Sequence, residues 1–183
     1  MLPTNHLRLS DTLCIAPVRP KDHSAHYGLM QRIYPPAFAY LWPDDGAWYI
    51  DHVHGHEPFL QDLDAPDAPY YHVYHQEQLV GIFRLKLNAP CPDLPDLPAL
   101  KLDRVYLDDE VRGLGIGKAL VAYAREETIR RNKEILWLER MDSNEATIGF
   151  YRKLGFTESG QFRLTFEQMY SKYRGMWRVL LKV

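Results

Sequence analysis

Residues Val111–Lys118 read V-R-G-L-G-I-G-K, and they lie between a strand-like run and a long amphipathic helical pattern. Three glycines in five positions at a helix start leave backbone N–H groups uncovered, where the helix dipole adds positive potential. Arg112 and Lys118 bracket the loop with positive charge. The segment reads as a strand-to-helix turn suited to a polyphosphate; a glycine-rich turn without a ligand is the plainer alternative. Two familiar phosphate loops do not fit. A P-loop needs four residues between its glycines and a Ser or Thr after its Lys, whereas Ala119 follows Lys118. A G-x-G-x-x-G dinucleotide fingerprint counted from Gly113 puts Lys118 where its third glycine belongs.

The rest of the chain bounds the setting. At 183 residues it fits one domain, residues 1–183, large enough to bury a core. No apolar run approaches membrane-spanning length, and the N-terminus lacks a basic region followed by a hydrophobic stretch. Two cysteines, Cys14 and Cys91, form neither a disulfide framework nor a metal spacing, so a reducing cytoplasm is the expected location. Residues 1–100 hold 12 Asp and Glu against 6 Lys and Arg, while residues 101–183 hold 12 against 16. The basic half carries the glycine loop, which suits a polyanion; the acidic half suits a cationic partner, or is a scattered, solvated surface. No basic stripe interleaves with aromatics, so nucleic-acid binding is not expected.

Periodicity orders the elements. Strands are expected at Leu13–Val18, Tyr70–His75 and Leu79–Leu87, the last two forming a hairpin around Gln76-Glu77-Gln78. A helix capped by Asp22 is expected to stop at Pro35-Pro36, and a second helical run spans about Ala47–Leu63. Asn88–Pro98, with four prolines, is a loop. Strand Leu100–Leu107 leads to helix Gly115–Asn132, whose Ile116, Ala119, Leu120, Tyr123 and Ala124 form a buried stripe. Strands Ile135–Leu138, Phe156–Phe166 and Met176–Val183 follow, with a helix opening at Asn144. This gives an α/β fold with a mixed sheet of about six or seven strands and about four helices. Alternation puts Asp103, Val105 and Leu107 on one face of the central strand.

The loop pattern Arg-x-x-Gly-x-Gly resembles the acyl-CoA pyrophosphate loop of the GNAT acetyltransferases. L-K-L-D-R-V-Y-L (Leu100–Leu107) resembles that family's central strand, and N-E-A-T-I-G-F-Y-R-K-L-G-F (Asn144–Phe156) its second motif. The likeness is strong over residues 100–156 and is nearest to the small polyamine acetyltransferases. It implies a mostly antiparallel sheet whose central strand bulges and splays to admit acetyl-CoA, with acceptor-site elements mainly in residues 20–98 and closing strands in 156–183. It implies direct transfer of an acetyl group to the primary amine of a small molecule; a protein or peptide acceptor and a non-catalytic acyl-CoA-binding module are the alternatives. Many members pair through their C-terminal strands, so a homodimer is a further expectation.

Site roles follow from the resemblance residue by residue. Tyr151 stands at the general-acid position, which must supply a proton to the departing thiolate. Asp103 stands where the polyamine enzymes place a carboxylate that binds or deprotonates the amine, and Glu139 is a second acidic candidate. Arg112, Gly113, Leu114, Gly115, Ile116, Gly117 and Lys118 would surround the pyrophosphate. Val105, Tyr106 and Leu107 would offer main-chain groups to the pantetheine arm, the Leu107 amide serving the oxyanion. Asn144 would touch the arm, although Asn also serves as a helix N-cap. The aromatics Tyr34, Phe38, Tyr40, Trp42, Trp48 and Tyr49 lie where the family builds its acceptor wall; core packing is the plainer reading. His52, His54 and His56 read as a surface or acceptor-site cluster rather than a metal site, because a third firm ligand is lacking.

Overall fold

The computed structural model describes residues 5–183. They contain one eight-stranded sheet in the order β1-β2-β3-β4-β5-β6-β8-β7. Its strands are β1 (Leu7–Arg8), β2 (Leu13–Pro17), β3 (Tyr70–His75), β4 (Gln78–Lys86), β5 (Ala99–Leu107), β6 (Ile135–Met141), β7 (Thr157–Arg163) and β8 (Gly175–Lys182). Five α-helices accompany them: α1 (His23–Phe38), α2 (Ala47–His54), α3 (His56–Leu63), α4 (Ile116–Arg130) and α5 (Glu145–Lys153). Every neighbouring strand pair is antiparallel except β5 with β6. The expected α/β architecture therefore holds, with one more strand and one more helix than the sequence suggests. The added strand is the two-residue β1. The added helix arises because Gly55 is extended (φ −59°, ψ 167°) and divides the 47–63 run.

Helices cover both faces of the sheet. On one face the α4 stripe packs as its spacing requires: Ile116, Leu120 and Ala124 are buried, with Ala119 and Tyr123 against the same core. Leu100 and Leu102 from β5 and Leu136 and Leu138 from β6 meet them. On the other face Met30, Ile33 and Tyr34 of α1 pack with Trp42, Ile50 and Phe59. The expected stop at Pro35-Pro36 is corrected, since α1 runs on to Phe38. The two prolines remove only the backbone donors of a final turn. Buried Ile33 and Tyr34, and Phe38 packed against the same core, hold that turn in place. The β3–β4 hairpin forms where expected, with Gln76 and Glu77 both left-handed (φ 49° and 65°).

Two irregularities in β5 make room for a ligand. Its parallel pairing with β6 covers only Ala99–Lys101 against Ile135–Trp137. Beyond that point β5 follows β4 to Leu107 and β6 follows β8 to Met141, so a wedge opens between them. In addition, the β4–β5 register jumps from Arg84↔Arg104 to Leu85↔Leu102, which leaves Asp103 as the extra residue of a bulge. The bulge corrects the alternation inferred from sequence. Val105 and Leu107 pack on the α4 core. Asp103 is turned to the opposite side, where it meets Arg84.

Candidate active site

The wedge opens into a cavity of about 260 Å³. Leu102–Tyr106 of β5 form one wall, Leu138–Met141 of β6 the other, and Asn144, Thr147 and Tyr151 project from α5. Main-chain direction decides what β5 offers. The Asp108 N–H donates to the Val80 carbonyl at 2.8 Å. In an antiparallel pair such groups alternate, so Arg104 and Tyr106 direct theirs to β4 while Val105 and Leu107 direct theirs into the wedge. Val105 and Leu107 thus carry the N–H and C=O groups an extended ligand would pair with. Tyr106 does not, which corrects the main-chain role expected for it; its side chain lines the cavity instead.

At the end of β5 the glycine loop leaves backbone amides uncovered that could hold an anion. Gly113 and Gly115 hold left-handed φ values of 83° and 78°. A Cβ on either would meet no atom within 4 Å, so their backbone is open to a bulky group. Gly115 is the N-cap of α4, and the amides of Ile116, Gly117 and Lys118 lie in the first turn, where no helical carbonyl is available to them. The Ile116 side chain points into the core, so its contribution is the amide alone. Gly117 admits α5, since its Cβ would stand 3.3 Å from Phe150. Leu114, Arg112 and Lys118 are exposed on the loop, and Arg112 pairs with Asp109 at 2.5 Å.

Tyr151 and Asn144 share the face of α5 that looks into the wedge. Asn144 is the N-cap, accepting from the Thr147 N–H at 3.2 Å, which leaves its side-chain amide free to donate. The Tyr151 ring packs against Phe150 and Phe156. Burial pushes its phenol up to about 12, so it stays protonated at neutral pH.

Asp103 is differently placed from what its expected role requires. Asp103 lies 2.9 Å from Arg84, 3.1 Å from Lys86 and 3.7 Å from Lys101. Burial acts to raise its pKa, but the charges of Arg104, Lys86, Lys101 and Arg84 outweigh that and hold it below the usual carboxylate value. A carboxylate so held is a weak base and has little field to spare for an amine. Glu139 accepts from Lys101 at 2.7 Å through Oε2 alone. The Arg84 side chain is only 3% exposed, and Asp103→Asn removes one of its two carboxylates while Asp62 remains at 2.8 Å. The change is expected to lower unfolding free energy by about 2 kcal/mol in denaturant titration, the range for a lost charge-assisted hydrogen bond. The contribution lost is present above the ordinary Asp pKa and fades as pH falls through the depressed folded value. An unchanged midpoint would show that the cluster does not support the fold.

Two groups escape the sequence reading. The loop between β7 and β8 supplies Leu164, Phe166 and Met169 to the cavity; β7 ends at Arg163, so the strand expected to reach Phe166 is shorter and its last apolar residues line the site. The histidines, in turn, group differently. His52 stacks on Trp48 at 4.4 Å and His56 is exposed, so His52, His54 and His56 do not cluster. Buried His54 instead meets His26 at 3.0 Å, and His26 meets His72 at 3.3 Å, behind the cavity wall. Burial lowers His26 to about 3 and His72 to about 4. The unfolded chain therefore binds more protons below pH ~6.5, and stability falls as pH drops from there. At pH 5 each of the two is expected to cost about 2 kcal/mol, read as a lower Tm than at pH 7.5; His72→Gln should flatten that slope. A Tm independent of pH over this range would contradict the neutral, buried state.

The splayed strand, the glycine cradle and the α5 tyrosine invite comparison with known proteins. The acetyltransferase (GNAT) family profile matches residues 28–156, well over half of the chain. The chain belongs to the GNAT acetyltransferase family. Among curated GNAT relatives, a peptidyl-lysine N-acetyltransferase, YjaB of Escherichia coli strain K12, is 32% identical over 106 residues, covering 56% of this chain and 60% of that protein. The chain spans 66% or less of the length of the curated relatives it matches. Among solved GNAT folds, the PaiA N-acetyltransferase of Thermoplasma acidophilum with coenzyme A superposes with a TM-score of 0.72 at 18% identity, covering 94% of this chain and 99% of that one. A spermidine N-acetyltransferase variant from Vibrio cholerae gives 0.65 at 14% identity, covering 94% and 95%. At these identities the likeness is one of fold.

Proposed function

We propose that the chain transfers the acetyl group of acetyl-CoA to the primary amine of a small molecule by direct attack, with both substrates bound together. The observation that carries this is the pair of main-chain edges at Val105 and Leu107, facing the wedge whose cavity Tyr151 lines, with the glycine loop following directly on the end of β5. The cradle fits a pyrophosphate, because an added Cβ at Gly113 or Gly115 meets nothing and the first-turn amides lack helical partners. Arg112, Leu114 and Lys118 flank it. Acetyl-CoA supplies an activated thioester; the remaining work belongs to this chain. The Leu107 N–H polarises the thioester oxygen, Asn144 and Val105 hold the arm, and Tyr151 gives its proton to the leaving sulfur.

The acceptor reaches these groups as an ammonium and must lose a proton. Glu139, with Oε1 beyond its bond to Lys101, is the carboxylate placed to take it, directly or through a water. Asp103 acts one step back, holding Lys101, Lys86 and Arg84 in position. The polyamine subtype draws on the Vibrio cholerae fold likeness but finds both cavity carboxylates already matched to cations. A protein acceptor draws on the lysine-acetylating relative. Two free, buried cysteines suit a reducing cytoplasm. Among the described residues no helix is long and apolar enough to cross a membrane.

Initial rates of thiol release from acetyl-CoA against amino acids, diamines, spermidine, arylalkylamines, aminoglycosides and lysine peptides test the proposal. Turnover on a small amine, well above the rate without acceptor, is expected. Turnover confined to peptides would move the assignment to a protein acceptor.

A further inference from the structure

The cavity has two unlike ends. One is the wedge already described; the other is a bowl of aromatic rings. Tyr34 and Tyr49 stack there with centroids 4.6 Å apart and planes at 13°. Trp42 lies 5.4 Å from Tyr49 and 6.1 Å from Phe166. Their polar atoms pair with one another: Trp42 Nε1 donates to the Tyr34 hydroxyl at 2.9 Å, and the Tyr49 and Tyr106 hydroxyls bond at 2.9 Å. What the bowl presents to a ligand is mainly ring surface, with no side-chain charge among these aromatics.

Charge around the bowl is matched in place. Beyond Asp103 and Glu139, Asp62 pairs with Arg84 at 2.8 Å and also with Arg104. Asp44 accepts from the Trp48 N–H at 2.7 Å, and Asp51 takes the Tyr27 hydroxyl. The acidic excess of the first hundred residues therefore does not gather as unmatched carboxylates facing the cavity. The rim is bridged as well. The Tyr170 N–H donates to the Leu41 carbonyl at 3.0 Å, and the Tyr40 and Ser143 hydroxyls bond at 3.1 Å. Together they tie the β7–β8 loop and the approach to α5 to the segment after α1, so that three separate segments are joined around the bowl.

We propose that the acceptor is a small primary monoamine carried on an aromatic or similarly apolar body, which fills the bowl while the amine points to the wedge. This rests on the acetyltransferase reading above and names its substrate class. The one ammonium lies in the wedge beside Glu139, and the rings take the apolar body. A polyamine must also bury a second charge in the bowl, where cation–π attraction without a free carboxylate offsets only part of its desolvation cost.

The test compares kcat/KM for 2-phenylethylamine and tryptamine with that for spermidine, spermine and a tripeptide beginning with Phe, while calorimetry follows acetyl-CoA binding separately. The arylalkylamines should lead by at least roughly tenfold, the gain expected from burying a ring-sized apolar group. Phe166→Glu, which places an unmatched carboxylate in the bowl, should shrink that lead at least tenfold with acetyl-CoA affinity unchanged; the wild-type ratio decides even where this variant fails to fold. Spermidine turned over as well as the arylalkylamines overturns the proposal, as does preference for the tripeptide or silence from a protein that still binds acetyl-CoA. A protein that does not bind acetyl-CoA overturns the acetyltransferase reading itself.

Discussion

Gly115→Glu is expected to lower acetyl-CoA affinity by more than about a thousandfold, measured by isothermal calorimetry. Gly115 is the N-cap of α4 and stands in the left-handed region at φ 78°. A carboxylate there would face the pyrophosphate at close range. At an effective dielectric near 20 and about 5 Å, each pair of like charges costs about 3 kcal/mol, and two phosphate charges are involved. Backbone strain for a residue with a Cβ adds roughly 1–2 kcal/mol, chiefly to fold stability. Gly115→Ala separates these effects. It introduces strain without charge, and its Cβ meets no atom within 4 Å, so affinity should stay within about tenfold of wild type. Affinity retained in the Glu variant would mean that the loop does not hold the phosphates.

Tyr151→Phe should reduce kcat by about a hundredfold to ten-thousandfold, the range for loss of a general acid, with acetyl-CoA affinity nearly intact. The change is a clean one. The hydroxyl has no hydrogen-bond partner among the described residues, so its removal orphans none, and the ring keeps its contacts with Phe150 and Phe156. Because burial pushes the phenol up to about 12, wild-type activity should show no loss from Tyr151 ionisation between pH 7 and pH 10. Unchanged turnover in the Phe variant would remove Tyr151 from the chemistry and return it to the core.

The sequence discloses the donor side of this site better than the acceptor side, for physical reasons. The loop and its helix are local: three glycines and a buried stripe at helical spacing lie within one stretch of chain and need no distant partner to be read. The bulge at Asp103 is legible too, once parity is followed. Leu100 and Leu102 face the α4 core on even numbers, Val105 and Leu107 on odd ones, and the switch falls at the polar pair Asp103-Arg104. Strict alternation misses that switch and so misplaces Asp103. Its cations come from β4 and from β5 itself, so its role depends on pairings that propensity does not encode. The buried histidines draw on α1, α2 and β3, and spacing along the chain gives no hint that His26, His54 and His72 meet. Helix α1 passing through Pro35-Pro36 is a tertiary override, in which buried Ile33 and Tyr34 hold a turn that local rules would end.

The central claim is that acetyl-CoA lies in the wedge between β5 and β6 with its phosphates on the glycine loop. Hydrogen–deuterium exchange with and without coenzyme A tests it directly. Slowed exchange concentrated in peptides spanning Val105–Lys118, with a smaller effect at Asn144–Tyr151, is the expected result. Binding without protection of Val105–Lys118, or with protection concentrated elsewhere in the chain, would contradict it.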